Sequence, residues 1–313
     1  MEPILRDWQE HYSELFGRHT LRLNHRLHET GLFTDEALAR LIERCPATNY
    51  NLHAMGSPDD PRMTWRRGEL GDCDGAQVIE GIRAGRLWLN LRRLQDIDAR
   101  YADLVARMFA EFEQRVPGLS TYKHNLGILI SSPRAQVYYH ADIPGQALWQ
   151  IRGTKRVWLY PNSAPFLPET SIEDIVLGTT EEELPYQPWF DEHAEVFDLE
   201  PGQMLHWPLN GPHRVVNHDC LNVSVTTEHW ATDIRNFYAV RYANALMRKH
   251  LGMKNPAITV QGPMLYAKAA LALAHKSLMR KQKASGLPTR YDFKLDRANT
   301  GSILDIPPAI AAE

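Results

Sequence analysis

The stretch that decides the fold is QVYYHADIPGQALWQIRGTKRVWLYPN, residues 136–162. It contains three short, largely apolar runs separated by turns that include glycine. Such runs are typical of antiparallel sandwiches and barrels rather than of helical domains. His140 and Asp142 stand two positions apart in the first run. Because side chains at i and i+2 on a strand point to the same side, both can face the interior of a β structure.

Five further β-type runs surround this stretch: NLGILIS before it, and EVFDL, QMLHWP, HRVVN and LNVSVTTEHW after it. Eight such runs predict a sandwich or barrel. Helical periodicity predominates on either side. The predicted helices are 3–30, 34–45, 75–84, 95–115 and two after Trp230, the second at 264–283.

We therefore predict a mainly β protein with flanking helices. Its parts are an N-terminal helical and loop segment (1–74), a β core (75–230) and a basic C-terminal helical segment (231–313). Two strands are predicted before the core runs, at 49–55 and 86–90. The segment 57–74 is rich in Gly, Pro, Asp and Arg and predicts a loop.

Composition narrows the class of protein. The chain has 313 residues, 43% hydrophobic and 23% charged, as is usual for globular proteins. Its three cysteines form no CxxC pair, which favours a reducing compartment and argues against a disulfide framework. The N-terminus lacks an apolar signal core, and no apolar run approaches the roughly 18 residues of a membrane span. These features predict a cytoplasmic protein.

Charge is unevenly distributed along the chain. Residues 241–313 hold 12 Lys and Arg against 4 Asp and Glu, although the whole chain carries −3. A basic segment of this kind favours an anionic partner or a membrane surface, while packing on the acidic remainder of the chain is the alternative. The Ala-rich helix 264–283 also permits close helix approach, so a homodimer through the C-terminal helices is a second interpretation. No helix-turn-helix or zinc-finger pattern supports sequence-specific nucleic-acid binding.

His140 and Asp142 are candidate metal ligands, and a site built on them needs a third ligand. His213, just after Asn-Gly-Pro, is the best placed residue for that role. Two histidines and one carboxylate are the ligand set of non-haem Fe(II) oxygenases, which leaves positions open on the metal. The HxD spacing alone is weak evidence, because 14 His and 38 Asp and Glu make one or two such matches expected by chance. A second match, His193-Ala194-Glu195, lies in a polar segment and predicts a loop. Nearby alternatives for the third ligand are His206, His218 and His229.

The run HADIPGQALWQIRGTKRVWLYP resembles the JmjC and cupin-like 2-oxoglutarate oxygenases, including the asparaginyl hydroxylase that inhibits the hypoxia factor. The shared pattern is H-x-D, then a strand ending Q-I-x-G-x-K-R, with Lys155 fifteen positions after the first His. PGQMLHWPLNGPHRVVN resembles the family's turn before its distal His, and NVSVTTEHW its last core strand. The resemblance covers roughly residues 75–230.

This resemblance implies a double-stranded β-helix, or jelly roll, that binds Fe(II) through His140, Asp142 and His213. It gives Lys155 the role of binding the distal carboxylate of 2-oxoglutarate. Where the family often has Thr, three positions before the first His, this chain has Val137. Further cosubstrate contacts are therefore assigned to three other polar residues, Tyr138, Gln146 and Asn125.

The implied activity is an Fe(II)- and 2-oxoglutarate-dependent dioxygenase that uses O2 and hydroxylates an unactivated C–H, with release of succinate and CO2. Its substrate is a small molecule, a lipid or a protein side chain. The expected pocket residues are Asn90, Trp88, His206 and Trp230. Two alternatives remain open: a cupin-type metalloprotein that does not use 2-oxoglutarate, and a non-catalytic, ligand-sensing regulator.

Overall fold

The computed structural model describes residues 2–55, 65–180, 182–282 and 291–307, with backbone alone for 280–282. The described residues form helices at both ends and strands between them. The helices are α1 (Tyr12–Leu15), α2 (Asp35–Arg44), α3 (Gly75–Ala84), α4 (Ala99–Arg115), α5 (Glu169–Leu177), α6 (Thr232–Leu251) and α7 (Gly262–Gln282). The strands are β1 (Leu21–Asn24), β2 (Tyr50–Met55), β3 (Trp65–Glu69), β4 (Leu87–Leu91), β5 (Thr121–Ser131), β6 (Gln136–His140), β7 (Gly145–Arg152), β8 (Lys155–Leu159), β9 (Glu195–Leu199), β10 (Gln203–His206), β11 (His213–Asn217), β12 (Asn222–Ala231), β13 (Phe293–Leu295) and β14 (Ile303–Asp305).

The eight predicted β runs form the two sheets of a jelly roll. β10, β7, β12 and β5 are neighbours in the large sheet, and β6, β11, β8 and β9 form the small sheet. All pairs within this core are antiparallel. Apolar side chains from both sheets meet in one cluster, to which the large sheet contributes Leu148 and Leu205 and the small sheet Val157 and Val215. The predicted double-stranded β-helix with flanking helices is confirmed.

The outer face of the large sheet is covered by helices. Alternate strand residues such as Ile128 and Trp149 turn away from the small sheet and pack with the apolar faces of α2, α3 and α4. Local sequence fixes where these helices begin: the Thr34 hydroxyl accepts from the backbone N–H of Ala37, and Asp74 forms a capping box with Gln77. Burial of each large apolar side chain contributes roughly 1.5–3 kcal/mol to the stability of the fold, so this core stabilises the wall of the barrel.

Most predicted elements are confirmed, including α2, α3, α4, β2 and β4. The predicted helix 3–30 is wrong. Only Tyr12–Leu15 is α-helical there, and Leu21–Asn24 is a strand that pairs with β10. Its alternating burial, buried at Leu21 and Leu23, follows from adding this segment to the sheet edge. Long-range pairing therefore outweighs the local helical spacing.

The predicted loop 57–74 is wrong for Trp65–Glu69, which forms β3; residues 56–64 lie outside the described ones. β3 pairs antiparallel with β2 and in parallel with β13, from the C-terminal segment. The large sheet thus continues beyond β5 through β4, β2 and β3. This extension carries a second polar face beside the barrel.

The long connection 162–194 contains α5 and packs against α6. Phe166, Ile172, Phe190 and Tyr238 form an apolar cluster on the outer side of the small sheet. No helix within the described ranges is long and apolar enough to cross a membrane.

Candidate metal centre and its surroundings

The structure brings His140, Asp142 and His213 together at one end of the barrel. His213, the first residue of β11, lies directly opposite His140, the last residue of β6. The two Nε2 atoms are 3.7 Å and 3.4 Å from the Asp142 carboxylate, for His140 and His213 respectively. Within the described part of the chain, this is the group of three His, Cys, Asp or Glu ligand atoms close enough to hold a metal. Two imidazole nitrogens and one carboxylate oxygen suit a first-row divalent ion with open positions.

Backbone carbonyls orient both imidazoles. His140 Nδ1 is 2.7 Å from the carbonyl oxygen of Tyr138, and His213 Nδ1 is 3.0 Å from that of Gly211. Each contact requires an N–H at Nδ1, which leaves the lone pair on Nε2 directed at Asp142. This is the neutral tautomer that a metal needs. Burial lowers the pKa of His213 to about 4, and the neighbouring His140 adds to this effect, so His213 stays neutral at pH 7.

Two residues that sequence reasoning missed hold the loop of Asp142 in place. Asn210 donates from its side-chain amide to the carbonyl oxygen of Asp142 at 2.6 Å. Tyr238, on α6, donates to the carbonyl oxygen of Ile143 and contacts Asn210. Asn210 has φ +59°, a left-handed conformation that asparagine tolerates better than most residues. The signal available in the sequence was the turn Leu-Asn-Gly-Pro before His213.

Lys155 opens β8 and is almost fully buried, with 3% of its side chain exposed. It shares the inner face of β8 with Val157 and Leu159. No ion pair among the described residues involves it, and burial lowers its pKa to about 7. Leu159 lies opposite His213 while Lys155 lies opposite Asn217, four residues further along β11. At about 3.3 Å per residue, the backbone of Lys155 lies about 13 Å from the end of the barrel that holds the triad.

Gln146 and Asn125 lie on the inner face of the large sheet, on either side of Glu228. Burial raises the pKa of the Glu228 carboxyl, and the nearby Asp142 carboxylate acts in the same direction. The Asn125 amide hydrogen-bonds to Glu228, and Asn125 Oδ1 accepts from the backbone N–H of Arg93. Glu228 was absent from the predicted site. Its sequence signal is only its inward parity in the last core strand.

Tyr138 occupies a different position from the one expected from strand parity. A β-bulge in β6 lies between the pairs His213–His140 and Val215–Val137. The bulge turns Val137, not Tyr138, toward the apolar interior. The Tyr138 ring instead packs 5.4 Å from that of Trp65 on the sheet extension. Sequence alone does not reveal a bulge of one residue.

The pocket role expected for His206 is contradicted by its location. His206 follows Leu205, which faces the interior, and therefore points to the outer face. Its ring stacks on Phe16 at 4.0 Å, its Nδ1 is 2.7 Å from the Gln146 carbonyl oxygen, and its Nε2 accepts from Gly17 N–H. These contacts leave it a structural role in the helical core.

The other three expected pocket residues lie at the borders of the barrel. Trp88 and Asn90 lie opposite Ser131 and Leu129 of β5, on the face that continues the inner wall outward. Trp230 packs edge-on against Tyr238 at 5.6 Å, next to the Asp142 loop. Their contact with a substrate stays a prediction.

Comparison with known proteins agrees with this architecture. Residues 84–230 match the model of the cupin-like domain family. This segment is similar to cupin-like domains. The match spans β4 to β12 and includes the candidate triad and Lys155. No curated protein matches the chain in sequence.

Among solved structures, the chain is similar to E. coli YcfD, with 15% identity, a TM-score of 0.50, and coverage of 91% of this chain and 70% of that one. It is also similar to YcfD described as a ribosomal oxygenase from Escherichia coli in complex with cobalt and 2-oxoglutarate. That match has 14% identity, a TM-score of 0.48, and coverage of 91% and 68%. At 15% identity, the match with a TM-score of 0.50 shows the fold alone.

Proposed function

We propose that the protein is an Fe(II)- and 2-oxoglutarate-dependent oxygenase. The observation that carries this proposal is the pairing of an open two-histidine, one-carboxylate triad with a buried lysine in the same barrel. A buried ammonium without an acidic partner is costly, and a carboxylate brought by a ligand offsets that cost. The five-carbon dicarboxylate 2-oxoglutarate suits the span between Lys155 and the triad.

In this proposal His140, Asp142 and His213 hold the metal through Nε2, carboxylate and Nε2 atoms. Bound Fe(II) would supply activation of O2 coupled to oxidative decarboxylation of 2-oxoglutarate. Lys155 binds the distal carboxylate by a charge-assisted hydrogen bond. Gln146 and Asn125 offer amide groups on the facing wall. The apolar cluster of both sheets surrounds the space between them and excludes water.

The two alternatives predict different side chains. A cupin-type metalloprotein that does not use 2-oxoglutarate has no need of a buried lysine at the start of β8. A non-catalytic regulator has no need of three ligands that all direct lone pairs at one point. Retention of both features favours the oxygenase.

Anaerobic titration with Fe(II) and 2-oxoglutarate tests the proposal directly. The complex should give the weak visible charge-transfer band of a 2-oxoglutarate–iron chelate, and in air it should release succinate. His140→Ala and His213→Ala should lose stoichiometric iron. His218→Ala is the control, because His218 pairs with Asp198 at the surface. Iron retention in both triad variants would contradict the ligand assignment, and absence of 2-oxoglutarate binding by the iron-loaded protein would contradict the function.

We also propose a homodimer through α7. One face of α7 packs on α6 through Leu265, Lys268 and Ala272. The other face is apolar and exposed, including Leu273 at 70%. Large exposed apolar surfaces of this kind favour association. The free state of all three cysteines is consistent with the cytoplasmic location that we propose.

A further inference from the structure

The extension of the large sheet carries an open polar face, formed by alternate residues of β2, β3 and β4. One row across these strands joins Arg67, His53 and Trp88, and leads to Ser131 of β5. The next row joins Asn51 and Asn90 and leads to Leu129, which lies in the barrel interior. The residues between, such as Leu52 and Leu89, point to the helical core. The polar face therefore continues the inner wall of the barrel outward.

This face concentrates buried polar atoms that have no hydrogen-bond partner among the described residues. They are His53 Nδ1, Trp65 Nε1, Arg67 Nε, Asn90 Oδ1 and Arg92 Nε. More than half of all such atoms in the described part of the chain lie on these three strands or directly after them. Leaving a buried polar atom without a hydrogen bond is costly, so a cluster of such atoms favours a site that a polar ligand completes.

The chemistry of these atoms selects an anion. Trp65 Nε1 and the two arginine Nε atoms can only donate, whereas Asn90 Oδ1 is the acceptor of the set. Two guanidinium groups add positive charge. Burial lowers the pKa of His53 to about 4, and the charges of Arg67 and Arg92 act in the same direction, so the imidazole stays neutral. Carboxylate and phosphate are the anions whose geometry a guanidinium matches.

Aromatic rings next to these donors favour a planar group. Trp65 and Trp88 meet edge to face at 4.9 Å, with His53 at 5.2 Å and 5.5 Å from them. Tyr138, on β6, packs against Trp65 at the edge of this group of rings. All four residues are partly exposed. They offer ring faces and edges on which a flat ligand can stack.

Polar groups pack closely over Gly127 where this face meets the barrel. A Cβ at residue 127 would lie 2.8 Å from Thr226 Oγ1 and 3.5 Å from Asn90 Oδ1. Thr226 and Asn90 therefore approach each other over a residue with no side chain. Thr226 and Asn90, rather than a side chain of β5, therefore line the junction between the polar face and the barrel.

We infer that this face, defined by His53, Trp65, Arg67, Trp88, Asn90 and Arg92, is the subsite for the unoxidised part of the primary substrate, and that this part is a planar group bearing a carboxylate or phosphate. The inference rests on the proposed oxygenase function. Strands lie about 4.8 Å apart, so Arg67 on β3 is about 14 Å from β5. The anion binds there, and the oxidised carbon lies nearer the triad.

Binding of phenyl phosphate to the metal-free protein tests the subsite, with Trp fluorescence as the signal and inorganic phosphate as the ring-free comparison. Phenyl phosphate should bind at least tenfold more tightly than phosphate. Arg67→Gln should weaken it by about tenfold or more, since hydrogen bonds to charged groups contribute about 1.5–3 kcal/mol. Arg67→Lys should fall between, because lysine keeps the charge but not the planar fork.

Arg66→Gln is the matched control. Arg66 is the preceding residue of β3, points to the opposite side and pairs with Asp305. Its substitution should leave phenyl phosphate binding unchanged. Arg92→Gln repeats the test if Arg67→Gln melts at a lower temperature than the parent. Equal weakening by Arg66→Gln, or binding that survives both Arg67→Gln and Arg92→Gln, would overturn the assignment.

Competition separates this subsite from the cosubstrate pocket. Saturating 2-oxoglutarate with Fe(II) should leave phenyl phosphate bound. Displacement by 2-oxoglutarate would show that the arginines serve the cosubstrate and would overturn the inference, while leaving the proposed function intact. Failure of 2-oxoglutarate to bind, with phenyl phosphate still held by Arg67, would support the subsite and contradict the function. Absence of any phenyl phosphate binding would overturn the subsite.

Discussion

Replacing Lys155 by methionine should weaken cosubstrate binding and stabilise the cosubstrate-free protein at the same time. Methionine matches the lysine side chain as far as Cε and fills an apolar wall well. Lys155 is buried beside Val157 and Leu159, and burial lowers its pKa from 10.5 to about 7. Each pKa unit between folded and unfolded states corresponds to about 1.4 kcal/mol. Below pH 7 the charged lysine therefore costs the folded state about 5 kcal/mol.

The sign of the pH dependence follows from the same pKa values. Between pH 7 and 10.5 the unfolded chain holds the lysine proton and the folded protein does not. The unfolded state thus binds more protons, so the contribution of Lys155 to the free energy of unfolding rises with pH across this window. In Lys155→Met that contribution is absent. Urea unfolding of both proteins at several pH values between 6 and 10 measures the difference.

Cosubstrate affinity should change in the opposite direction. Loss of a charge-assisted hydrogen bond of about 1.5–3 kcal/mol corresponds to a roughly 10- to 150-fold rise in the Kd of 2-oxoglutarate. In the parent protein this Kd should also rise above pH 7, because the ammonium must then be reprotonated to bind the carboxylate. Arg156→Gln, an exposed neighbour paired with Asp198, is the control for both assays. An unchanged Kd in Lys155→Met, or lower stability at pH 7, would refute the reasoning.

Three further predictions concern residues outside the ligand set. Asn210→Ala should loosen the Asp142 loop and raise the Kd of Fe(II) about tenfold, which metal titration measures, while Asn162→Ala nearby leaves it unchanged. His206→Ala should lower the free energy of unfolding by about 2–4 kcal/mol through lost packing on Phe16 and leave iron binding intact; loss of iron would place His206 in the site after all. Leu273→Glu should convert the dimer to a monomer in light scattering without changing iron content, and a parent protein that is already monomeric would contradict the interface.

The jelly-roll core could be predicted from the sequence because its signals are local. Each of its eight strands is a short apolar run bounded by a turn, and the HxD pair acquires meaning from the lysine fifteen residues later. Predicting the triad required only that His213 begin its strand, and the structure places His213 opposite His140. Turn chemistry and strand parity sufficed for these positions.

The errors arose where distant segments decide the structure. Leu21–Asn24 is a strand because β10 is present at the sheet edge, and Trp65–Glu69 is a strand because β2 and β13 lie on either side. β10 and β13 are distant in sequence from the strands that they pair with, although β2 is not. The position of Tyr138 could not be predicted for a different reason, since one bulged residue changes which side chains face inward. His206 was assigned to the pocket because it lies in the strand before the turn, although its parity opposes that of Leu205.

The positions of the buried polar groups that destabilise the fold support the functional assignment. The outer face of the large sheet is apolar, and His206, a buried polar group there, is hydrogen-bonded. The inner face and its extension instead hold a lysine without an ion-pair partner among the described residues, and arginine and indole nitrogens without acceptors. Folding alone gains nothing from these groups, because apolar residues of similar size would be more stable there. Two anionic ligands would satisfy these groups, one bound to the lysine in the barrel and one bound to the arginine and indole nitrogens on the extension. Variants that remove each cation separately should therefore lose one ligand and retain the other.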